Sequence, residues 1–162
     1  MANHEAQLLV FLRMAKEKPT IAAACLCERT LMESDGTISI IRMVDQFTVG
    51  VPPDVVERLN PQLVLTLVVV LKSRGGLVGK HELVLQMHGP TKSQEPQPVE
   101  IEFREGSLST VNATINIAVG VIKNFGECRI DLSFDGELLT TVPFRVVQGP
   151  AQATEGSETT HS

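Results

Sequence analysis

The feature that most limits the folds open to this chain is a compact turn, Ser34-Asp35-Gly36, set between two stretches that favour β-strands. The run from Ile21 to Cys27 precedes the turn, and the run from Thr37 to Val49, rich in Ile, Val and Thr, follows it. An Asp-Gly turn between two such runs is among the strongest local signals for a β-hairpin. The sequence therefore predicts an antiparallel hairpin over residues 20–49.

The length of the loop decides which side chains of this hairpin face each other. A three-residue loop, with Gly36 supplying the positive φ, places Glu28 directly opposite Arg42. A two-residue loop would instead place Arg29 opposite Arg42, and like charges that face each other destabilise a strand pair. We therefore predict the longer loop and an ion pair between Glu28 and Arg42.

Asp45 interrupts an otherwise apolar row on the second strand of the hairpin, formed by Ile41, Met43, Phe47 and Val49. A carboxylate without hydrogen-bond donors is unfavourable in a core. We therefore expect Asp45 to be hydrogen-bonded, by backbone amides of the connection that follows or by Arg42.

The rest of the chain reads as short strands separated by turns. Residues 63–71 are apolar on both faces except for Thr66, as expected of a central strand that is covered on both sides. Alternation of apolar and polar residues predicts further half-buried strands over 80–88, 99–103, 108–121, 128–134 and 138–147, the last two joined by an Asp135-Gly136 turn. The prolines of residues 50–61 exclude a regular strand there and leave room for one helical turn at most.

About eight short strands with turns between them favour two packed antiparallel sheets. The predicted fold is all-β: an antiparallel immunoglobulin-like β-sandwich with a short N-terminal helix, with a β-barrel as the alternative. A chain of 162 residues can bury one such core without staples. We divide it into an N-terminal helical arm (1–18), a β-sandwich domain (19–148) and a disordered tail (149–162).

The N-terminal arm carries apolar side chains at helical spacing, at Leu8, Phe11, Leu12 and Ala15. A strand through residues 7–13 is the alternative. The arm holds more apolar surface than one face of a sandwich easily covers, and such surface usually marks an interface. We therefore predict that Leu8, Phe11 and Leu12 dock against a protein partner, most simply a second copy in a homodimer. A helix that lies wholly on its own sheet is the other interpretation.

Charge and composition exclude some partners. The net charge of −5 and the scattered Lys and Arg residues argue against nucleic acid. No apolar run approaches the roughly 18 residues of a transmembrane helix, so we expect no membrane association.

Three cysteines cannot all pair within one chain, and Cys25 and Cys27 point the same way on a strand, a poor geometry for a disulfide. Free thiols suit a reducing compartment, so we expect a cytoplasmic protein.

No catalytic, cofactor-binding or metal-binding residue is predicted. His81 and His88 have opposite strand parity and should face opposite sides of a sheet, and no serine has a recognisable His and Asp partner. Cys25 and Cys27 lack the further ligands of a metal site. The aspartates near predicted loops match no calcium-binding spacing, although calcium there stays an alternative: Asp35, Asp45, Asp54, Asp131 and Asp135.

Two groups of residues carry a resemblance to a known family. The first is Ala24-Cys-Leu-Cys-Glu28 with Glu33-Ser-Asp-Gly36, Ile40-Ile-Arg42 and Asp45, and the second is Gly126-x-Cys-x-Ile-x-Leu-x-Phe-Asp-Gly136. Together they resemble a family of uncharacterised bacterial β-sandwich domains over about residues 20–147. The resemblance implies the fold and a bacterial cytoplasmic protein, but no activity.

Three classes of function follow from these observations. A non-catalytic protein-interaction or assembly module is favoured, because sandwiches present edges and loops to partners and no catalytic constellation is recognised. A small-ligand or carbohydrate-binding module is the alternative, although the absence of Trp and Tyr weighs against carbohydrate. An enzyme without a recognisable motif is the third.

Overall fold

The computed structural model describes residues 17–150, except for residues 36, 51, 60–61, 75, 107 and 121–124. Leu8, Phe11, Leu12, Gly36 and the segment 151–162 therefore lie outside the described residues.

The described part of the chain forms nine strands and one short helix. In chain order these are β1 (Thr20–Met32), β2 (Ile38–Met43), β3 (Gln46–Val49), α1 (Pro53–Leu59), β4 (Gln62–Ser73), β5 (Gly79–His88), β6 (Gln97–Phe103), β7 (Ser109–Gly120), β8 (Gly126–Phe134) and β9 (Glu137–Gln148).

These strands form two sheets, and the all-β prediction is confirmed. The four-stranded sheet has the order β2-β1-β4-β7 and is antiparallel throughout. The five-stranded sheet has the order β3-β9-β8-β5-β6 and is curled into a half-barrel. Its β3–β9 pair is parallel, so the prediction that all strands pair antiparallel is wrong at this edge.

The parallel pair arises because the predicted strand 37–49 is two strands. β2 ends at Met43 in the four-stranded sheet, and β3 begins at Gln46 in the five-stranded sheet. Arg42 has a φ of 53°, a conformation that strands do not use, and it precedes the change of sheet. One stretch of β-favouring residues thus contributes an edge strand to each layer.

The connection between β3 and β4 contains more helix than the sequence predicts. The seven residues of α1, Pro53–Leu59, exceed the single turn expected, so that prediction is wrong. Proline is compatible with the first position of a helix because the N–H it lacks has no partner there. Pro53 therefore begins the helix, and Pro61 follows it, so neither interrupts it.

The hairpin has the predicted register. Cys27 pairs with Met43 and Met32 with Ile38, so Glu28 and Arg42 occupy facing positions. The backbone N–H of Glu33 donates to the carbonyl of Thr37 across the three-residue loop at 2.8 Å. Arg42 Nη1 lies 3.3 Å from Glu28 Oε2, which confirms the predicted ion pair. Both side chains are exposed, so the pair contributes only about 0–1 kcal/mol to stability.

One hydrophobic core lies between the two sheets. β4 supplies one side with Leu65, Leu67, Val69 and Leu71, all fully buried. The five-stranded sheet supplies the other side, mainly with Leu83, Leu85, Phe103, Ile130, Leu132 and Phe134. The rings of Phe103 and Phe134 meet edge to face with centroids 6.2 Å apart. The second turn, Asp135-Gly136, joins β8 to β9 as predicted, with positive φ at both residues.

The two faces of β4 should respond differently to truncation of their side chains. Leu67→Ala removes a fully buried side chain from between the sheets and should lower the free energy of unfolding by about 2–5 kcal/mol. Val64→Ala, on the exposed outer face of the same strand, should change it by about 0.5 kcal/mol or less. Urea unfolding of both variants measures the difference. Equal losses would contradict the assignment of these two faces.

Candidate functional site

The first candidate site is an apolar surface on the β1–β2 hairpin. β1 pairs with β4 only as far as Cys27, whereas it pairs with β2 as far as Met32. Beyond Cys27, the described pairing of β1 is therefore with β2 alone. Three large apolar side chains of the hairpin are exposed: Leu31 (49%) and Met32 (70%), on opposite faces of β1 beyond Cys27, and Met43 (68%), which pairs with Cys27. We call these three residues the hairpin surface.

The polar groups at the hairpin tip are engaged within the hairpin. Asp35 Oδ1 accepts a hydrogen bond from the Thr37 backbone N–H at 2.9 Å, and the Ser39 hydroxyl lies 2.6 Å from Glu33 Oε1. Hydrogen bonds from the side chain and then the backbone of Thr37 hold the pKa of Asp35 below its usual value. Together with the Glu28–Arg42 pair, these contacts order a two-stranded ribbon that would be marginal alone.

The second candidate site is a polar cluster on the outer face of the five-stranded sheet, formed by His88, Ser93 and Asp131, and named here the His88 cluster. Ser93 Oγ lies 2.8 Å from His88 Nδ1, and Asp131 Oδ2 lies 3.0 Å from His88 Nε2. The expectation that no serine has a His and Asp partner is therefore wrong. The strand pairing of β5 with β8 and the bridge between His88 and Ser93 bring the three together, which spacing along the chain does not show.

The His88 cluster has the connectivity of a nucleophile, a base and an orienting carboxylate. Acyl transfer also needs N–H donors for the developing oxyanion, and losing one such donor lowers kcat by about 10²–10³-fold. Two backbone amides of this loop already donate: Gly89 to the Lys92 carbonyl and Gln94 to the Met87 carbonyl. Ser93 is exposed on the loop itself. These contacts fasten the loop to the sheet, and a structural role accounts for all of them.

Asp131 is the centre of this network. Its Oδ1 accepts a hydrogen bond from the Thr141 hydroxyl at 2.7 Å and lies 3.4 Å from Arg129 Nε. With His88, its two oxygens contact side chains of three strands, β5, β8 and β9. The carboxylate is only about one-fifth exposed, so it depends on these partners rather than on water.

A shallow cavity of about 550 Å³ adjoins the His88 cluster. Its wall includes His88, Gln46 and two exposed arginines, Arg129 and Arg145. Arg145 Nη2 lies 2.7 Å from Glu127 Oε1, so the positive charge of this wall is partly balanced. The cavity has the size of a small-ligand site.

Asp45 lies on the rim of this cavity and does not have the role predicted for it. It is exposed, in the short link between β2 and β3, so its carboxylate is not in a core. Its backbone carbonyl accepts a hydrogen bond from the Arg145 N–H at 2.8 Å. The apolar row that it appeared to interrupt does not exist, because that row is divided between two sheets.

His81 lies on the opposite face of β5 from His88, as predicted. Its ring stacks on Phe134 with centroids 5.0 Å apart, and Nδ1 lies 3.0 Å from Asp135 Oδ2. Asp135 Oδ1 accepts a hydrogen bond from the Glu82 N–H at 3.2 Å. These contacts tie the β8–β9 turn to β5. Among the described residues, no group of three or more His, Cys, Asp or Glu side chains is positioned to hold a metal ion.

The three cysteines are free thiols. Cys128 belongs to the core between the sheets, whereas Cys25 and Cys27 share the outer face of β1. Burial raises the pKa of all three thiols, and the neighbouring Cys25 raises that of Cys27 further. The thiols are therefore protonated at neutral pH.

Comparison with known proteins places the chain within one family of sequences. A model described as a family of unknown function, DUF6941, matches residues 22–147. No curated protein sequence matches. A crystal structure of a beta-glucosidase from Listeria innocua is similar over 84% of this chain, with 12% identity and a TM-score of 0.42. The chain spans only 17% of that structure's length. No helix of the described residues is long and apolar enough to cross a membrane.

The two carboxylates on the outer face of β8 should differ in their effect on stability. Asp131→Ala leaves the Thr141 hydroxyl without its acceptor and removes the carboxylate beside His88 and Arg129, so it should lower the free energy of unfolding by about 1–3 kcal/mol. Glu127→Ala breaks only an exposed pair and should cost about 0–1 kcal/mol. Chemical denaturation of each variant tests the ranking. A larger loss for Glu127→Ala would show that Asp131 does not organise the cluster.

Proposed function

The chain belongs to the family of unknown function DUF6941, and we propose that it is a non-catalytic protein-interaction or assembly module that binds its partner through the hairpin surface. One observation carries the proposal: Leu31, Met32 and Met43 expose apolar side chains on a hairpin in which Glu28 pairs with Arg42 and Glu33 with Ser39. Leu31 and Met43 lie on the same face of the hairpin and Met32 lies on the opposite face, so a partner that covers all three contacts both faces of the hairpin.

The hairpin surface suits a protein partner. Methionine side chains are flexible and polarizable and adapt to irregular apolar surfaces. β2 is also an edge strand of the four-stranded sheet, and an edge strand offers backbone groups to a strand of a partner. The partner that fits this surface is a protein with an apolar groove or an exposed strand. A second copy of the chain, in a homodimer, meets the same description.

We also infer the finer features of the fold and setting. Two sheets that share one core support an immunoglobulin-like sandwich, with the parallel β3–β9 pair as its departure from a purely antiparallel arrangement. Three free thiols support a cytoplasmic location. The bacterial origin that the sequence resemblance implies stays a prediction.

A small-ligand site is the second candidate function, and the cavity beside the His88 cluster favours it. Arg129 and Arg145 would attract an anionic group. An anionic small ligand should raise the melting temperature of the wild-type protein but not that of Arg129→Ala. The hairpin variants described next leave this cavity unchanged, so the two functions are separable.

The hairpin surface can be tested with a photo-cross-linking amino acid placed at Met43 in the full-length protein in cells. We expect a discrete covalent adduct after irradiation, because the partner covers this side chain. An adduct at twice the 17.6 kDa chain mass identifies a second copy, and any other mass identifies a different protein.

Leu138 is the matched control, because it is a similarly exposed apolar residue but lies on β9 in the other sheet. We expect little or no adduct from this position. Equal yields from Met43 and Leu138, or no adduct from Met43, would overturn the proposed role of the hairpin.

A further inference from the structure

The outer edge of β7 is the longest strand edge in the described part of the chain. β7 ends the four-stranded sheet, with β4 on one side and no described strand on the other. Its twelve residues pair with β4 in an unbroken register. A long, regular edge presents a row of backbone groups to any strand that can reach it, and natural sheets usually protect such edges with charge, proline or short length.

The other three edges of the two sheets have such protection. β3 has four residues, and β2 has six and carries Arg42. β6 contains Pro98 and two exposed acidic residues, Glu100 and Glu102. β7 has neither proline nor a charged residue from Ser109 to Gly120. It is therefore the edge that is best suited to the addition of a long strand.

One hydrogen bond shows which backbone groups of β7 face outward. The Gln94 side chain, in the loop between β5 and β6, donates to the Ala118 carbonyl at 3.4 Å, so this carbonyl faces away from β4. In an antiparallel ladder both backbone groups of a residue face the same side, and the side alternates along the strand. The backbone groups of four further residues therefore face outward: Thr110, Asn112, Thr114 and Asn116. Since Gln94 occupies the edge at Ala118, the stretch that can receive another strand is residues 110–116.

The inward side chains of this stretch are incompletely buried. Val111, Ala113 and Ile115 pack against the core but are only half-buried, whereas Ile117 and Val119, on the same side of β7, are buried. The change occurs where the contact with Gln94 begins. A strand added beside residues 110–116 would cover the three half-buried side chains, so it would gain apolar burial as well as backbone hydrogen bonds.

We propose that residues 110–116 of β7 dock antiparallel against the same residues of a second copy of the chain, which joins the two four-stranded sheets into one. The chain has a net charge of −5, but this stretch is uncharged, so two copies can meet here without repulsion between facing side chains. A two-fold axis at Ala113 makes the stretch complementary to itself. On the exposed face, Asn112 lies opposite Thr114 and Thr110 opposite Asn116, and each pair can form a hydrogen bond between an amide and a hydroxyl.

The same axis pairs the apolar side chains of the inner face. Val111 lies opposite Ile115, and the small side chains of the two Ala113 residues meet at the axis. An axis closer to the end of β7 would require the Ala118 carbonyl, which already accepts a hydrogen bond from Gln94. The axis at Ala113 is therefore the favoured register.

This inference does not rest on the proposed function, because β2, which carries Met43, and β7 are opposite edges of the same sheet. In the joined sheet the two hairpin surfaces lie at the far ends, and each can bind its own partner. A module that dimerises through β7 is therefore bivalent. Two linked sites raise the avidity for a partner that presents repeated sites.

The test compares two doubly substituted full-length proteins with the wild type, by sedimentation equilibrium over a range of concentrations. The wild type should reach twice the 17.6 kDa chain mass. Asn112→Lys with Thr114→Lys places like charges opposite each other twice in the dimer and should weaken association by about tenfold or more. Asn112→Lys with Thr114→Glu changes the same two exposed positions but pairs opposite charges, so the dimer should persist.

A second measurement reports the register and does not depend on charge. Ala113→Cys should give a disulfide between two chains when oxidised glutathione is added, because facing residues at the axis have Cα atoms about 4.5 Å apart. Ile115→Cys is the matched control, since its counterpart in the other chain lies opposite Val111, and it should give little product. Peptide mapping separates these disulfides from any that involve the native cysteines.

A wild-type protein that is monomeric at every concentration would overturn the proposal and leave the edge to another segment or another protein. A dimer that both double variants leave intact would also overturn it, and would assign self-association to a different surface. A Met43 adduct of twice the chain mass would then identify the hairpin as that surface. Equal disulfide yields from Ala113→Cys and Ile115→Cys, or none from Ala113→Cys, would likewise exclude the proposed pairing of β7.

Discussion

The structure depends on burying β4 on both of its faces. Leu65, Leu67 and Val69 pack between the sheets, and Val68 is fully buried on the other side. β4 is also paired along its length with β7 and from Thr66 to Lys72 with β1, so over that stretch its backbone groups are satisfied on both edges. A strand this apolar is unfavourable at a surface. The arrangement of the other strands follows from enclosing it.

The second constraint is the change of sheet between β2 and β3. The chain leaves the four-stranded sheet after Met43 and joins the edge of the five-stranded sheet at Gln46, beside β9. This crossing links the two layers near the middle of β1, where the Val44 N–H donates to the Leu26 carbonyl. It also lets β1 and β2 pair with each other beyond the last β1–β4 pair, so the part of the hairpin that carries Leu31 and Met32 is less enclosed than the rest of the sheet. The candidate interface is thus a consequence of the topology.

The outer faces of the two sheets differ in chemistry. The outer face of the five-stranded sheet carries charged and polar side chains, which pair with one another around Asp131 and between Glu127 and Arg145. The outer face of the four-stranded sheet carries the buried Cys27 and Val68 instead. The face with paired polar groups is stable in contact with water and borders the cavity beside the His88 cluster.

The sequence by itself determined the features that depend on neighbours in the chain. The Asp35 turn and the charges of Glu28 and Arg42 specified the register of the first hairpin, and the stretch 63–71, apolar except for Thr66, identified β4 as a central strand. Only the tertiary structure decided what depends on distant segments. Asp45 lies at the change of sheet because the chain turns away after Arg42, and local alternation carries no sign of that turn. His88 meets Asp131 because β5 pairs with β8, a choice among strands of similar pattern that long-range packing makes.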